Sequence, residues 1–428
     1  MSRGALRAAM EPFSIAAFRS VWLGALSGNS GRFAVILVAG WEAFRQGHHS
    51  AIWPSLVSML ILLPTALFGL VSGGLADRLN RASQAAAGQA MAAVATLGAA
   101  ACIFTHVASL ATTLVAAALV GVSNSVQGPA WQALIPNLVG KERMVNAALS
   151  TRIAQQGSEL VGPAIGTVVL TTAGPGWTFV ACSLFYAVGM VLLARIRRQV
   201  RPGPRAPGTM LHEVRAGVAY LKTTSPLGLL FVWVTLHCCL TMATFGILPT
   251  IATVNFGGGG AGVYGLLLTA FGAGSILGPL LAMALSLRTR PGTMLWVTGL
   301  LSGAPLIVVG LSHLEWLAVA MECLAGIGQA VFMAVIYASV QTCAHDAIRG
   351  RVSSIQLTST TGAMGLASIG WGALVGAASA GLLLALPGGL FVLVCLALTG
   401  KLAGLNRDID RHIERAAPPA IDAAPSIA

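Results

Sequence analysis

Apolar stretches long enough to cross a bilayer recur along this sequence every 30 to 40 residues or so, each close to the roughly 20 residues that span the hydrocarbon core. That spacing constrains the fold more than anything else in the chain. With 56% hydrophobic and 9% charged residues and a mean hydropathy of +0.81, a soluble globular enzyme, in which roughly 25% of residues are charged, is excluded. The 428 residues have room for about a dozen spans. Breaks at charge or Gly/Pro clusters place helices near 19–41, 51–75, 83–105, 109–131, 147–171 and 176–196, then 226–254, 262–286, 292–312, 314–340, 353–377 and 381–402.

The basic residues test this count, because a wrong number of spans scatters them over both faces. All 25 Lys and Arg fall on one side except Arg32, inside the first span, and Arg45, in an outer loop. Both termini and the long middle loop are therefore expected in the cytoplasm. A net charge of +12 would in water suggest nucleic acid; here it is loop charge facing anionic lipid, and no nucleic-acid partner is expected. The N-terminus carries Arg3, Arg7, Glu11 and Arg19 and no small-residue cleavage site, so a removed signal peptide is not expected. The 7 Cys show neither CxxC nor zinc spacing with His, so no disulfide framework, metal or cofactor is expected.

Sliding the sequence by 206 residues superposes Arg143 on Arg349 and Gly166 on Gly372, a weak internal repeat that implies a duplicated six-helix half. The expected organisation is a six-helix bundle over 1–198, a cytoplasmic linker over 199–225, a second bundle over 226–403 and a tail over 404–428. The linker opens with Pro202, Pro204 and Pro207, then places Leu211, Val214, Val218 and Leu221 at helical spacing, as in a short helix lying on the inner leaflet. The Ala/Pro-rich tail is expected to be largely disordered.

Between the second and third spans stands Gly73-Gly74-Leu75-Ala76-Asp77-Arg78-Leu79-Asn80-Arg81. Gly73 permits close helix approach, Asp77 suits a bridge to a neighbouring helix end or a basic side chain, and Arg78 and Arg81 sit at headgroup depth. This segment resembles the inner-loop signature of the major facilitator superfamily, Gly-x-x-x-Asp-Arg-x-Gly-Arg. Asn80 replaces the second Gly, and Asn tolerates a left-handed turn nearly as well. Trp22-Leu23-Gly24, Gly40-Trp41, Leu134 to Val139 with Lys141-Glu142-Arg143 and Asn146, and Arg349-Gly350-Arg351-Val352 are similar to the branch holding enterobactin-type siderophore exporters and macrolide or tetracycline efflux pumps. The resemblance implies an all-α membrane protein of twelve transmembrane helices in two pseudo-symmetric six-helix bundles. Gly162-Pro163-Ala164-Ile165-Gly166 is similar to a shortened Gly-Pro antiporter motif, echoed by Gly272, Gly274, Gly278 and Pro279. Against a simple drug/proton antiporter, 121–127 lacks the Arg many of them carry, and the loop after the eighth span holds Arg288 and Arg290 without an Asp.

Charge within a span costs about 2.5 to 3.5 kcal/mol or more at mid-bilayer and marks function by default. The spans hold three such residues, Arg32, Glu159 and Glu322. At 1.5 Å per residue Arg32 and Glu159 lie roughly 20 Å above the inner helix ends, with Glu322 expected near that level. Glu322 and Glu159 are the proton-coupling candidates. Asn29, Arg32, Asn124, Gln127, Gln156, His237, Thr241, Gln329, Tyr337 and Gln356 are candidate lining of a central substrate cavity. Arg32 either holds Glu159 ionised or attracts an anionic substrate.

The expectation is a secondary transporter in the bacterial inner membrane, monomeric, exporting a small amphipathic organic molecule in exchange for protons by alternating access. The alternatives are an importer or lysophospholipid translocator of the same fold, and a non-transporting membrane receptor. No cluster of Asp, His or Ser at catalytic spacing suggests an enzyme.

Overall fold

The computed structural model describes residues 11–76, 80–139, 143–199, 225–257, 260–286, 289–345, 349–375 and 378–416. A 3-10 turn at Glu11–Ser14 leads into α1 (Ala16–Gln46), α2 (Ile52–Ala76), α3 (Arg81–Phe104), α4 (Leu110–Leu138), α5 (Met144–Thr172) and α6 (Pro175–Ile196). The second set is α7 (Leu227–Val254), α8 (Gly260–Ser286), α9 (Pro291–Leu311), α10 (Glu315–Cys343), α11 (Arg349–Leu374) and α12 (Ala380–Ala397), followed by α13 (Leu402–Ala416). Among the described residues nine helices are long and apolar enough to cross a bilayer. Short turns join consecutive helices, and side-chain caps close some of them. Ser109 and Thr112 cap each other's backbone amides at the start of α4, and Ser379 accepts from Leu382 N at the start of α12.

In the first bundle α1 packs on α5 and α6, α3 on α4 and α6, and α2 on α4; in the second, α9 and α10 pack together, with α8 on α10 and α12 on α9. The two most extensive contacts between the bundles are α5 with α8 and α2 with α11. These pairs exchange under the 206-residue repeat, so the seam carries the pseudo-symmetry. Ser55 of α2 meets Gly246 and Gly372, and Ser368 Oγ donates to Ser55 O at 3.4 Å, while Ala66 faces Gly362 nearer mid-depth.

Four expectations need correction. First, α1 does not stop at Trp41 but runs to Gln46, carrying Glu42 with it. Second, Asn80 is not left-handed: its φ is −68°, and its side chain caps α3 by accepting from Ser83 N at 3.1 Å while donating to Arg197 O at 2.8 Å. Third, α7 is not one regular helix but passes through a π turn at Cys238–Met242 and a 3-10 turn at Ala243–Ile247. Fourth, the tail is helical as far as Ala416, with Leu405 and Ile409 buried in the core of the second bundle. The proposed linker helix lies outside the described residues.

Candidate functional site

The site begins with a missing hydrogen bond. Pro163 in α5 has no N–H, so the carbonyl of Glu159 one turn earlier lacks its helical donor. Gly272 of α8 packs directly on that carbonyl, and a Cβ at position 272 would overlap its oxygen. Gly162 and Gly166 seat the same stretch of α5 on α1, against the Ser30 carbonyl and against Ala34 and Leu37. The Gly-Pro segment therefore fixes α5 between its own bundle and the other one.

Side chains follow the backbone here. Gln156 Nε2 donates to Ser275 O across the seam at 3.2 Å, and the Ser275 hydroxyl, which donates to Gly272 O at 2.9 Å, lies beside the Glu159 carboxylate. Arg32 on α1 lies within the electrostatic reach of Glu159 and Tyr186 but forms no direct ion pair with either. Its guanidinium instead stands 4.7 Å from the centroid of the Phe33 ring, and its Nε has no hydrogen-bond partner. Along their helices Arg32 and Glu159 are about 24 and 22 Å from the N-terminal ends, level as expected. One turn from Arg32, Asn29 turns its amide back to Ala25 O at 2.9 Å. Nearer the basic face, the Arg152 guanidinium of α5 lies 5.6 Å from the Tyr337 ring of α10 and bridges the halves.

Asn124 and Gln127 belong to a polar ladder inside the first bundle. Gln127 accepts from Gln89 Nε2 at 2.7 Å and Trp131 Nε1 at 3.1 Å, and donates to Asn124 Oδ1 at 3.1 Å. Gln89, absent from the sequence-based candidates, reaches between α1 and α6 through the gap left by Gly28 and Gly189. Gly28→Val should fill that gap and lower the yield of folded protein, overpacking costing about 1–3 kcal/mol. Gly28→Val with Gln89→Ala should recover it in detergent thermal melts, and an unrescued double variant would contradict the fit.

The second bundle encloses its polar candidates. Glu322 is 1% exposed with Oε1 unpartnered, and Gln329, seven residues along the same helix, is also buried with its Oε1 free. Counting along α10, Glu322 stands about 31 Å from Cys343, farther from the basic face than Glu159, so the expectation of equal depth fails. His237 is 0% exposed, stacked on Phe332 at 4.2 Å and edge-on to Phe391 at 5.1 Å, with neither ring nitrogen bonded. Thr241 returns its hydroxyl to His237 O at 2.8 Å, and Gln356 is fully buried with its amide unpartnered. His237, Thr241 and Gln356 are thus buried inside the bundle in this structure. The π turn adds a residue to one turn of α7, so a face read at 3.6 residues per turn does not persist through it.

In the inner-loop segment, Gly73 lies in the last turns of α2 and Arg81 opens α3, while Asp77 and Arg78 lie outside the described residues. Sequence reasoning missed Glu42, which is 1% exposed and holds Arg45 at 2.9 Å and Gln46 at 3.1 Å, with Gln46 in turn accepting from Thr113. Its position one residue past Trp41 was the available signal.

The model of the family described as transmembrane secretion effector (MFS_3) matches residues 7–422. Among curated proteins the chain is 25% identical over 218 residues to the enterobactin exporter EntS of Shigella flexneri, covering 51% of each. It is 27% identical over 227 residues to that of Citrobacter koseri, covering 52% of this chain and 53% of the relative. The chain thus spans about half the length of the curated relatives it matches. Among solved structures, a POT family transporter in complex with 5-aminolevulinic acid aligns with a TM-score of 0.74 at 11% identity, over 91% of this chain and 97% of that one. A bacterial homologue of the human lysosomal transporter Spinster, inward-facing and unoccupied, aligns with a TM-score of 0.63 at 15% identity, over 94% and 98%. The chain belongs to the transmembrane secretion effector family and has the fold of a major facilitator membrane protein.

Proposed function

We propose that the protein exports a small amphipathic organic molecule from the cytoplasm in exchange for protons, as a monomer in a bacterial inner membrane with both termini inside. The observation that carries this reading is the placement of Glu159. Its backbone carbonyl packs on Gly272 of the other half and its carboxylate lies beside Ser275 on that seam, with Arg32 nearby. The charge of Glu159 sets the electrostatics of the surface along which the halves rock, while Glu322, buried in α10 with one carboxylate oxygen unpartnered, carries the proton, and an inward proton supplies about 2.3 kcal/mol per 100 mV. The enterobactin exporters among its relatives favour an organic metabolite as cargo and outward transport.

Proteoliposomes with an imposed pH gradient, offered a panel of dyes, antibiotics and siderophores, test the reading. Gradient-dependent accumulation of at least one compound in inside-out vesicles is expected; accumulation unaffected by a protonophore would remove proton coupling. Orientation is tested separately by reporter fusions. Tags at either end or within 199–215 should report cytoplasm, and a tag at residue 258 should report the outside. A cytoplasmic signal at 258 would overturn the twelve-span topology.

A further inference from the structure

At the basic end of the second bundle, the start of α7 and the α12–α13 junction border an open recess of about 340 Å³. Its walls are Pro226, Leu229, Ala403 and Leu405, and Lys401 and Arg407 stand at it. Gly400 and Gly404 leave open space where a side chain would stand. The one carboxylate there, Asp408, is already engaged. Ser225 Oγ donates to its Oδ2 at 3.0 Å, and Arg411 Nη1 reaches its Oδ1 at 3.4 Å. Lys401 pairs with no described carboxylate, and Arg407 spends only its Nε, on Ala403 O at 3.2 Å. Two exposed cations therefore face an apolar-walled recess with charge to spare.

Immediately above, Leu393 and Leu396 of α12 are exposed on one helical face, three residues apart, and a 3-10 turn at Thr399–Lys401 joins that helix to α13. A hydrocarbon surface thus ends at the turn whose Gly400 and Lys401 border the recess. α13 is held in place to present it: Leu405 and Ile409 are buried in the core, and Asn406 Oδ1 caps α9 by accepting from Gly292 N at 2.8 Å.

We propose that this recess binds the phosphate headgroup of an anionic phospholipid from the leaflet on the basic side, with its acyl chains lying along Leu393 and Leu396. Arg407 supplies free guanidinium donors suited to two phosphate oxygens, and Lys401 a point charge. The proposal is independent of cargo and of proton coupling.

Native mass spectrometry of the delipidated full-length protein, titrated with phosphatidylglycerol or with phosphatidylcholine of the same chains, tests it. One phosphatidylglycerol should bind at a concentration roughly 30-fold lower than phosphatidylcholine, from two cations each contributing about fivefold. The double variant Lys401→Gln/Arg407→Gln should lose that preference, whereas Arg195→Gln, a basic change at the end of α6, should keep it. An unchanged preference in the double variant overturns the site. Displacement of the lipid by millimolar inorganic phosphate would make it a soluble-anion site and overturn the lipid assignment.

Discussion

Glu322→Gln is expected to abolish gradient-driven export, by roughly tenfold or more, while cargo binding stays within a few-fold of wild type. Glu322 is buried with one carboxylate oxygen unpartnered, and no cation bonds to it. An unpaired charge so placed costs several kcal/mol, which protonation removes. Gln reproduces the shape of the neutral acid but cannot release a proton, so the protein should bind its cargo without responding to the gradient. Counterflow in proteoliposomes, with and without a pH gradient, separates the two properties. If Glu322→Gln keeps gradient-driven export and only Glu159→Gln loses it, the roles of the two acids must be exchanged. Arg32 refines the comparison. Breaking a buried contact pair costs about 3–5 kcal/mol, but Arg32 and Glu159 are not in direct contact, so Arg32→Ala and Glu159→Gln should each cost less. The double change should still be milder than the sum of the two.

Twelve spans were legible because lipid imposes one rule at every position: an apolar run of sufficient length must be a helix, and basic residues punctuate the runs. Boundaries were less legible, and Glu42 shows why. A charge ends an apolar run when residues are judged singly, but a carboxylate that holds Arg45 and Gln46 on its own helix lets that helix continue. Helix α13 carried a readable signal, Leu402, Leu405 and Ile409 at helical spacing, which the Ala/Pro-rich residues beyond it obscured. Arg32, Glu159 and Gln156 could be placed from depth and face alone. His237 could not, because its surroundings depend on an irregular turn in α7 and on Phe332 and Phe391, roughly 95 and 150 residues away. Nor could any single-helix pattern reveal that the carbonyl freed by Pro163 meets a glycine of the other half. That contact joins two helices whose pairing arises only when the bundles dock.

The same contact yields the other large effect. Gly272→Val should reduce transport by tenfold or more while leaving each bundle folded, because the obstruction is backbone and cannot swing aside. A Cβ at 272 would overlap the Glu159 carbonyl oxygen and lie 2.6 Å from Leu160 N. The clash exists only while α5 and α8 are packed together. Around it the halves meet toward the face opposite the basic loops, where Tyr264 OH donates to Ile36 O at 3.4 Å and Gly265 packs on Thr167. The substitution therefore penalises the state closed at that face, by about 1–3 kcal/mol if the helices can part slightly. That is enough to shift a balanced equilibrium roughly 5- to 150-fold toward the opposite opening. Gly98→Val, at a position with open space around it, should leave transport unchanged. A cysteine introduced at Thr167 should become more reactive toward a membrane-impermeant maleimide in the Gly272→Val background, since parting α5 from α8 uncovers it. Unaltered labelling together with normal transport would mean that the α5–α8 contact is not a step in the cycle.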